Sequence, residues 1–320
     1  MHNDFPRMHF IRHIGMSLAL SVTTACSGAG VEDVAEGRET DGFSAQESDP
    51  GSDPSLQVLD GGGRTVQPTT DPCVGIDPVA TLRRFAPSDK KLAGDFEKYL
   101  TKEVGTLTCA TEGTGRARTI TQTIFVPPNT VYDGKGETLT ANVAAMLCDT
   151  SEGEQNEGQR PFFLLAPGAS LKNVTFTYPG CEGVHMMGDN ALDNIVWIDA
   201  GEDAASTRSY FPGGKITITN SKGHKASDKM FQFNSPCDVR IENFTGSEMG
   251  KLIRQNGGKD FSLRIDLNNV NVTGVVSAVV QSDSPQCFVR HRNLSYKFNG
   301  SGDKSDRVFK GIPAGNITRY

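Results

Sequence analysis

Four short segments of this 320-residue chain carry residue types that could do chemistry: Cys181-Glu-Gly-Val-His185, Ala200-Gly-Glu-Asp-Ala204, Lys225-Ala-Ser-Asp-Lys-Met-Phe-Gln232 and Gly250-Lys-Leu-Ile-Arg254. Their acids, Glu182, Glu202 and Asp203, offer hard oxygen donors. Gathered in one place, these carboxylates would repel and raise one another's pKa values unless a cation sat among them. An irregular set of carboxylate oxygens suits Ca²⁺, which accepts six to eight ligands. Lys229 is ordinarily a surface cation paired with its neighbour Asp228. Beside a metal ion and Arg254, its ammonium would be destabilised, which makes it a candidate proton acceptor. Arg254 could grip a carboxylate through two parallel hydrogen bonds. Each segment alone also reads as a solvated turn, so the chemistry depends on what brings them together.

A repeat does so. Leu171-Lys-Asn-Val-Thr-Phe, Leu192-Asp-Asn-Ile-Val-Trp, Ile216-Thr-Ile-Thr-Asn, Val239-Arg-Ile-Glu-Asn-Phe and Leu263 to Val270 look alike, and their asparagines are Asn173, Asn194, Asn220, Asn243 and Asn269. Those positions are separated by 21, 26, 23 and 26 residues. A period of this length, with one group of short strands per unit, indicates a solenoid. In a parallel β-helix, equivalent positions of successive coils stack into ladders. Asparagine suits a ladder at a turn, because it tolerates left-handed backbone and its amide can bond to the next coil. Glu182 and the Glu202-Asp203 pair then fall one coil apart, with Lys229 and Arg254 one and two coils further on. The scarcity of helices between strands argues against a doubly wound α/β sheet; a β-sandwich is the alternative. Upstream, Leu82, Phe85, Leu92, Phe96, Leu100 and Val104 recur near helical spacing and predict one or two helices over 78–106, capping the fold.

The formal charge of −6 is concentrated near the N-terminus. Residues 27–71 hold ten acids against two bases, whereas the chain from Pro72 onward holds 28 bases and 27 acids. A near-neutral folded part has no global basic field, so an anionic ligand must be held by locally placed cations, and nucleic acid is not an expected partner. Arg7, Arg12 and His13 precede an apolar stretch from Ile14 to Ala25 and then Cys26, the layout of a secretory signal over residues 1–26. That stretch is too short to span a bilayer as a helix. Thr23-Thr24-Ala25-Cys26 is similar to a bacterial lipobox, with Cys26 as the residue lipidated. Residues 27–71 are rich in Gly, Ser, Asp, Glu and Pro and predict a disordered acidic linker, leaving 72–320 as the folded domain. The six remaining cysteines, Cys73, Cys109, Cys148, Cys181, Cys237 and Cys287, suggest disulfides of undetermined connectivity in an exported chain.

The stretch from about 120 to 269 resembles the class III pectate lyases, polysaccharide lyase family 3. The resemblance rests on six elements in the family's order: Tyr132-Asp-Gly-Lys-Gly136, Leu171 to Val174, Glu182-Gly-Val-His185, Asn194-Ile-Val-Trp-Ile-Asp-Ala-Gly-Glu-Asp-Ala204, Lys225 to Gln232, and Gly250-Lys-Leu-Ile-Arg-Gln-Asn-Gly257. It departs from the family pattern at Glu182, often Asp; at Ile198, usually an acid; at Met186, usually cysteine; and at Gln255-Asn256, usually Ser-Cys. The resemblance implies an all-β, right-handed parallel β-helix with a short N-terminal helical segment. It also implies calcium and eliminative cleavage of polygalacturonate. Carried over residue by residue, Glu182, Glu202 and Asp203 would hold Ca²⁺ and Lys229 would be the base. Arg254 would polarise the substrate carboxylate, with Lys225 and Lys251 as further substrate-binding cations. A secreted or lipid-anchored bacterial monomer follows from the same reading. The competing readings are a non-catalytic β-helix that binds pectin and a β-helix hydrolase. A hydrolase needs an acid–base carboxylate pair rather than a lysine and an arginine.

Overall fold

The computed structural model describes residues 71–151 and 158–320. The expected signal segment, Cys26 and all but the last residue of the expected linker lie outside the described residues. Among the described residues no helix is long and apolar enough to cross a membrane.

From Leu107 onward the chain winds through about eight turns of a parallel β-solenoid, and the strand pairings are parallel throughout. A β-sandwich, built from antiparallel sheets, is thereby excluded. Three sheets run along the solenoid, and each is held by a ladder of identical orientation. In the first, Tyr132, Leu171, Leu192, Ile218, Ile241 and Leu267 stack rung on rung. In the second, the ladder runs Leu139, Phe176, Trp197, Gly223, Gly246, Val272. In the third it runs Ile124, Phe163, Val184, Ala205, Phe231, Ile253, Val280. The side chains of these ladders form one continuous core, because successive residues of a strand face opposite sides and every second one points inward. The two glycines of the second ladder make room rather than a turn: a Cβ on Gly223 would lie 2.5 Å from Met230 Sδ.

The corner between the first and second sheets is the asparagine ladder. Asn173, Asn194, Asn220, Asn243 and Asn269 all have φ between 51° and 59°, a left-handed conformation that few other side chains tolerate. Asn194 Nδ2 donates to Asn173 Oδ1 (2.8 Å), Asn243 to Asn220 (3.0 Å) and Asn269 to Asn243 (2.8 Å). The spine starts on an acid, with Asn173 donating to Asp133 Oδ1 at 2.8 Å. It has one break, since Asn220 donates to Asp193 rather than to Asn194.

The helical segment forms as expected: α1 (Pro78–Arg83), capped by Asp77, and α2 (Lys90–Lys98), capped by Asp89, which continues into a π-turn at Tyr99–Glu103. Its position differs from the expectation. Leu82, Phe96, Tyr99, Leu100 and Val104 pack with Phe125, Leu164, Ala166 and Met187. Phe125 and Leu164 are the outward-facing neighbours of Ile124 and Phe163, which point into the core. The helices therefore cover the outer, apolar flank of the third sheet. That flank is apolar only on these early coils.

Among the described residues two disulfides are present, Cys73–Cys109 and Cys148–Cys181. The expectation that all six cysteines pair is corrected: Cys237 and Cys287 are free and buried. Both lie in one ladder, but Leu263 occupies the rung between them. Two rungs of about 4.8 Å each exceed the reach of a disulfide.

Candidate active site

The solenoid turns the sequence separations of the candidate residues into a single stacked position on the third sheet. Asp203 pairs in register with Lys229, Lys229 with Lys251, and Lys251 with Ala278. Glu182 extends the column by one coil, because it precedes Val184 by two residues as Asp203 precedes Ala205, and Val184 pairs with Ala205. Two acids are thus followed by two lysines on consecutive coils. Glycines let the backbones close up here. A Cβ on Gly183 would lie 2.0 Å from Ala204 O, and one on Gly250 would lie 2.2 Å from Asp228 O.

Glu182, Glu202, Asp203 and Lys229 are between 2% and 8% exposed, so their charges interact with little screening. Lys229 Nζ lies 2.5 Å from Asp228 Oδ2 and 3.6 Å from Asp203 Oδ1, and Lys251 Nζ lies 2.5 Å from Asp228 Oδ1. Asp228 thereby bridges the two lysines, and the same contacts hold its own pKa below the usual carboxylate value against the opposing effect of burial. The sequence expectation of a lowered Lys229 pKa concerns a lysine beside a metal ion and Arg254; the protein side chains alone act the other way. Burial does push it down, but the carboxylates of Asp203, Asp228 and Glu202 outweigh burial and raise it. As described, without a cation, Lys229 is an ammonium held by acids.

Asp203 has the opposite problem. Burial, then Glu182, Glu202 and Asp228, drive its pKa well above the ordinary value despite Lys229, and its Oδ1 is buried without a hydrogen-bond partner. Glu182 is better provided. Arg208 Nη2 lies 2.9 Å and His185 Nε2 lies 3.2 Å from its Oε2. Arg208, then His185, hold its pKa down although burial alone would raise it. His185 in turn is kept neutral, its pKa pushed to about 4 by burial and by Arg208. Arg208 was not singled out in the sequence. It lies in the connection after the strand Gly201–Ser206, within a run of small residues, and the only signal was a lone guanidinium soon after an acidic pair.

Glu202 opens on the other side, onto a cleft of about 690 Å³ shared with Lys225, Ser227, Asp149, Asp199 and the exposed ring of Tyr178. Lys225 therefore stands by the cleft rather than in the column. Arg254 lies in register with Gln232, three residues beyond Lys251, and its guanidinium is taken up by Asp283 at 2.6 and 3.3 Å. The structure thus unites Glu182, Asp203, Lys229 and Lys251, with Glu202 adjoining, while Arg254 lies further along its strand, paired with an acid that the sequence did not disclose.

The donor chemistry fits a hard cation: three buried carboxylates gather here, Glu182 and Glu202 push the pKa of Asp203 up, and Asp203 Oδ1 has no hydrogen-bond partner. Among the described residues no three side chains are already gathered at chelating distance, and both contacts to Glu182 use Oε2. Arg208 is the cation that Glu182 has in hand.

Residues 108–307 match the family model described as pectate lyase. A probable pectate lyase D of Neosartorya fischeri is 30% identical over 193 residues, which span 56% of this chain and 77% of that protein. Pectate lyase E of Emericella nidulans is 34% identical over 123 residues, spanning 37% of this chain and 48% of that protein. Among solved structures, the catalytic domain of pectate lyase PelI from Erwinia chrysanthemi is 16% identical, with a TM-score of 0.40, and covers 67% of this chain and all of that one.

Proposed function

Because the chain belongs to the pectate lyase family, we propose that it cleaves (1→4)-α-D-galacturonan by calcium-dependent β-elimination, leaving 4,5-unsaturated oligogalacturonides, as a class III enzyme of polysaccharide lyase family 3. The observation that carries the reading is the column of Glu182, Asp203, Lys229 and Lys251 on consecutive coils. It sets an acidic cage directly against two amines. Elimination needs loss of the weakly acidic proton alpha to the uronate carboxylate, followed by departure of the O4 leaving group. Lys229 takes that proton. Lys251 and Lys225 bind uronate carboxylates on either side of the acidic group. Arg254, once its guanidinium turns from Asp283, pairs with the carboxylate of the reacting sugar. Glu182, Glu202 and Asp203 would hold Ca²⁺, which supplies charge stabilisation to the developing anion. A cation held by Glu182, Glu202 and Asp203 would offset the carboxylates that now hold Lys229 protonated, and would let a uronate carboxylate approach where those acids alone would repel it.

The protein is proposed to be exported, with Cys26 as the candidate lipid attachment. The test is ultraviolet absorbance of unsaturated product from polygalacturonate with and without chelator. Activity should vanish on chelation and return with calcium. Full activity after exhaustive chelation, or reducing ends without unsaturated product, would sink the reading.

A further inference from the structure

The N-terminal helical segment reaches the acidic column at one atom. Tyr99, on the π-turn that follows α2, is 1% exposed, and its hydroxyl lies 2.7 Å from His185 Nδ1. His185 Nε2 faces Glu182 Oε2 at 3.2 Å and Arg208 Nη2 at 3.0 Å. A neutral imidazole carries a single N–H, so two arrangements exist. If Nδ1 bears the proton, Nε2 presents a lone pair to the Glu182 carboxylate, and the Tyr99 hydroxyl proton finds no acceptor among the described contacts. If Nε2 bears it, the Tyr99 hydroxyl donates to Nδ1, Nε2–H donates to Glu182, and Arg208 supplies a second donor to the same oxygen. Each arrangement sets one like pair at Nε2, acceptor against acceptor with Glu182 in the first and donor against donor with Arg208 in the second, and only the second gives the proton of the buried Tyr99 hydroxyl an acceptor.

We propose that Tyr99 is a positioning residue of the acidic site: its hydroxyl fixes the His185 tautomer that donates to Glu182, and so sets the orientation and donor strength of that carboxylate towards a divalent cation. The proposal rests on the calcium reading given above. It assigns the helical segment a part in the chemistry, although that segment contributes no residue to the column. It also explains why the outer flank of the third sheet is covered at this coil: the apolar contacts of Tyr99 with Tyr210 and Phe211, at ring distances of 5.5 and 5.6 Å, hold the hydroxyl in place. Partners that orient a metal-binding group typically change metal affinity when removed, by about 10–100-fold.

The experiment compares the full chain with Tyr99→Phe, which keeps the ring and its packing. Nitrogen-15 histidine spectra of the metal-free proteins read which ring nitrogen carries the proton, and calorimetric titration with CaCl₂ reads affinity. The wild type should show His185 protonated on Nε2. Tyr99→Phe should lose that single tautomer and bind calcium about 10–100-fold more weakly, while unfolding within about 4 °C of the wild type. A wild type protonated on Nδ1, or a variant that binds calcium as the wild type does, overturns the proposal and leaves the calcium reading standing. A wild type that binds no calcium overturns the calcium reading itself, and the role of Tyr99 towards a metal falls with it.

Discussion

Lys229 is caught between Asp203 and Asp228 in a way that fixes how its reactivity must depend on pH. Those carboxylates raise its pKa, so the amine is protonated around neutrality and the fraction able to accept a proton grows as pH rises. Turnover should climb toward alkaline pH. Asp228→Asn removes one raising charge, and the rising limb of the pH–rate profile should move to lower pH; a shift upward would show that Asp228 acts through geometry instead. Lys229→Ala should lower kcat by about 10²–10⁴-fold with polygalacturonate binding retained. Lys225→Ala, at the cleft rather than in the column, should keep most of the turnover. The opposite ranking of the two variants would move the base to Lys225. The acids and lysines of the column were legible because their spacing equals whole coils. Arg208 and Asp283 were not, because they sit on connections whose course no period dictates. A partner such as Asp283 also becomes visible only when two coils are laid side by side.

At the scale of the elements, the corner asparagines were legible from the sequence and the pairing of the cysteines was not. The ladder follows from a repeated residue at a repeated position, whereas Cys148–Cys181 depends on where a loop outside the repeat comes to rest. Asn243 sits mid-ladder, donating to Asn220 and accepting from Asn269. Asn243→Ala should cost about 1–3 kcal/mol through the left-handed backbone and the lost bonds, seen as a melting temperature lower by several degrees; Asn243→Gly, free of the backbone penalty, should cost less. The foot of the ladder is acid-sensitive. Asp133 accepts from Asn173 and from the Lys135 backbone and pairs with Lys172, which brings its pKa to about 2. A carboxylate with a depressed folded-state pKa stabilises above its unfolded value of about 3.9, and that contribution is lost as pH falls through about 2. Asp133→Asn should therefore flatten the loss of stability between pH 4 and 2, measured by thermal melts across that range. An unchanged acid limb would show that other groups, the buried Glu182 among them, dominate it.

For the molecule as a whole, the solenoid was readable from the period alone. The side covered by the helices was not, since amphipathic spacing says that a face is buried but not against what. Removal of residues 1–70 should leave a folded lyase, because the described helices, sheets and both disulfides lie beyond them; a large fall in melting temperature would show that those residues support the domain. The stacked column has a further consequence, for how such a chain can change its length. Each member of the column is contributed by a separate winding, and neighbours are held one rung, about 4.8 Å, apart. A duplicated winding spliced between Ser206 and Lys222 would give every strand a parallel neighbour again and still ruin the enzyme, by driving Asp203 and Lys229, now on adjacent rungs, to twice their separation. The same winding spliced beyond Gln281 would lengthen the molecule and leave the column untouched. Growth is thus permitted at one end of this scaffold and forbidden in its middle, and the boundary between the two is set by chemistry rather than by folding.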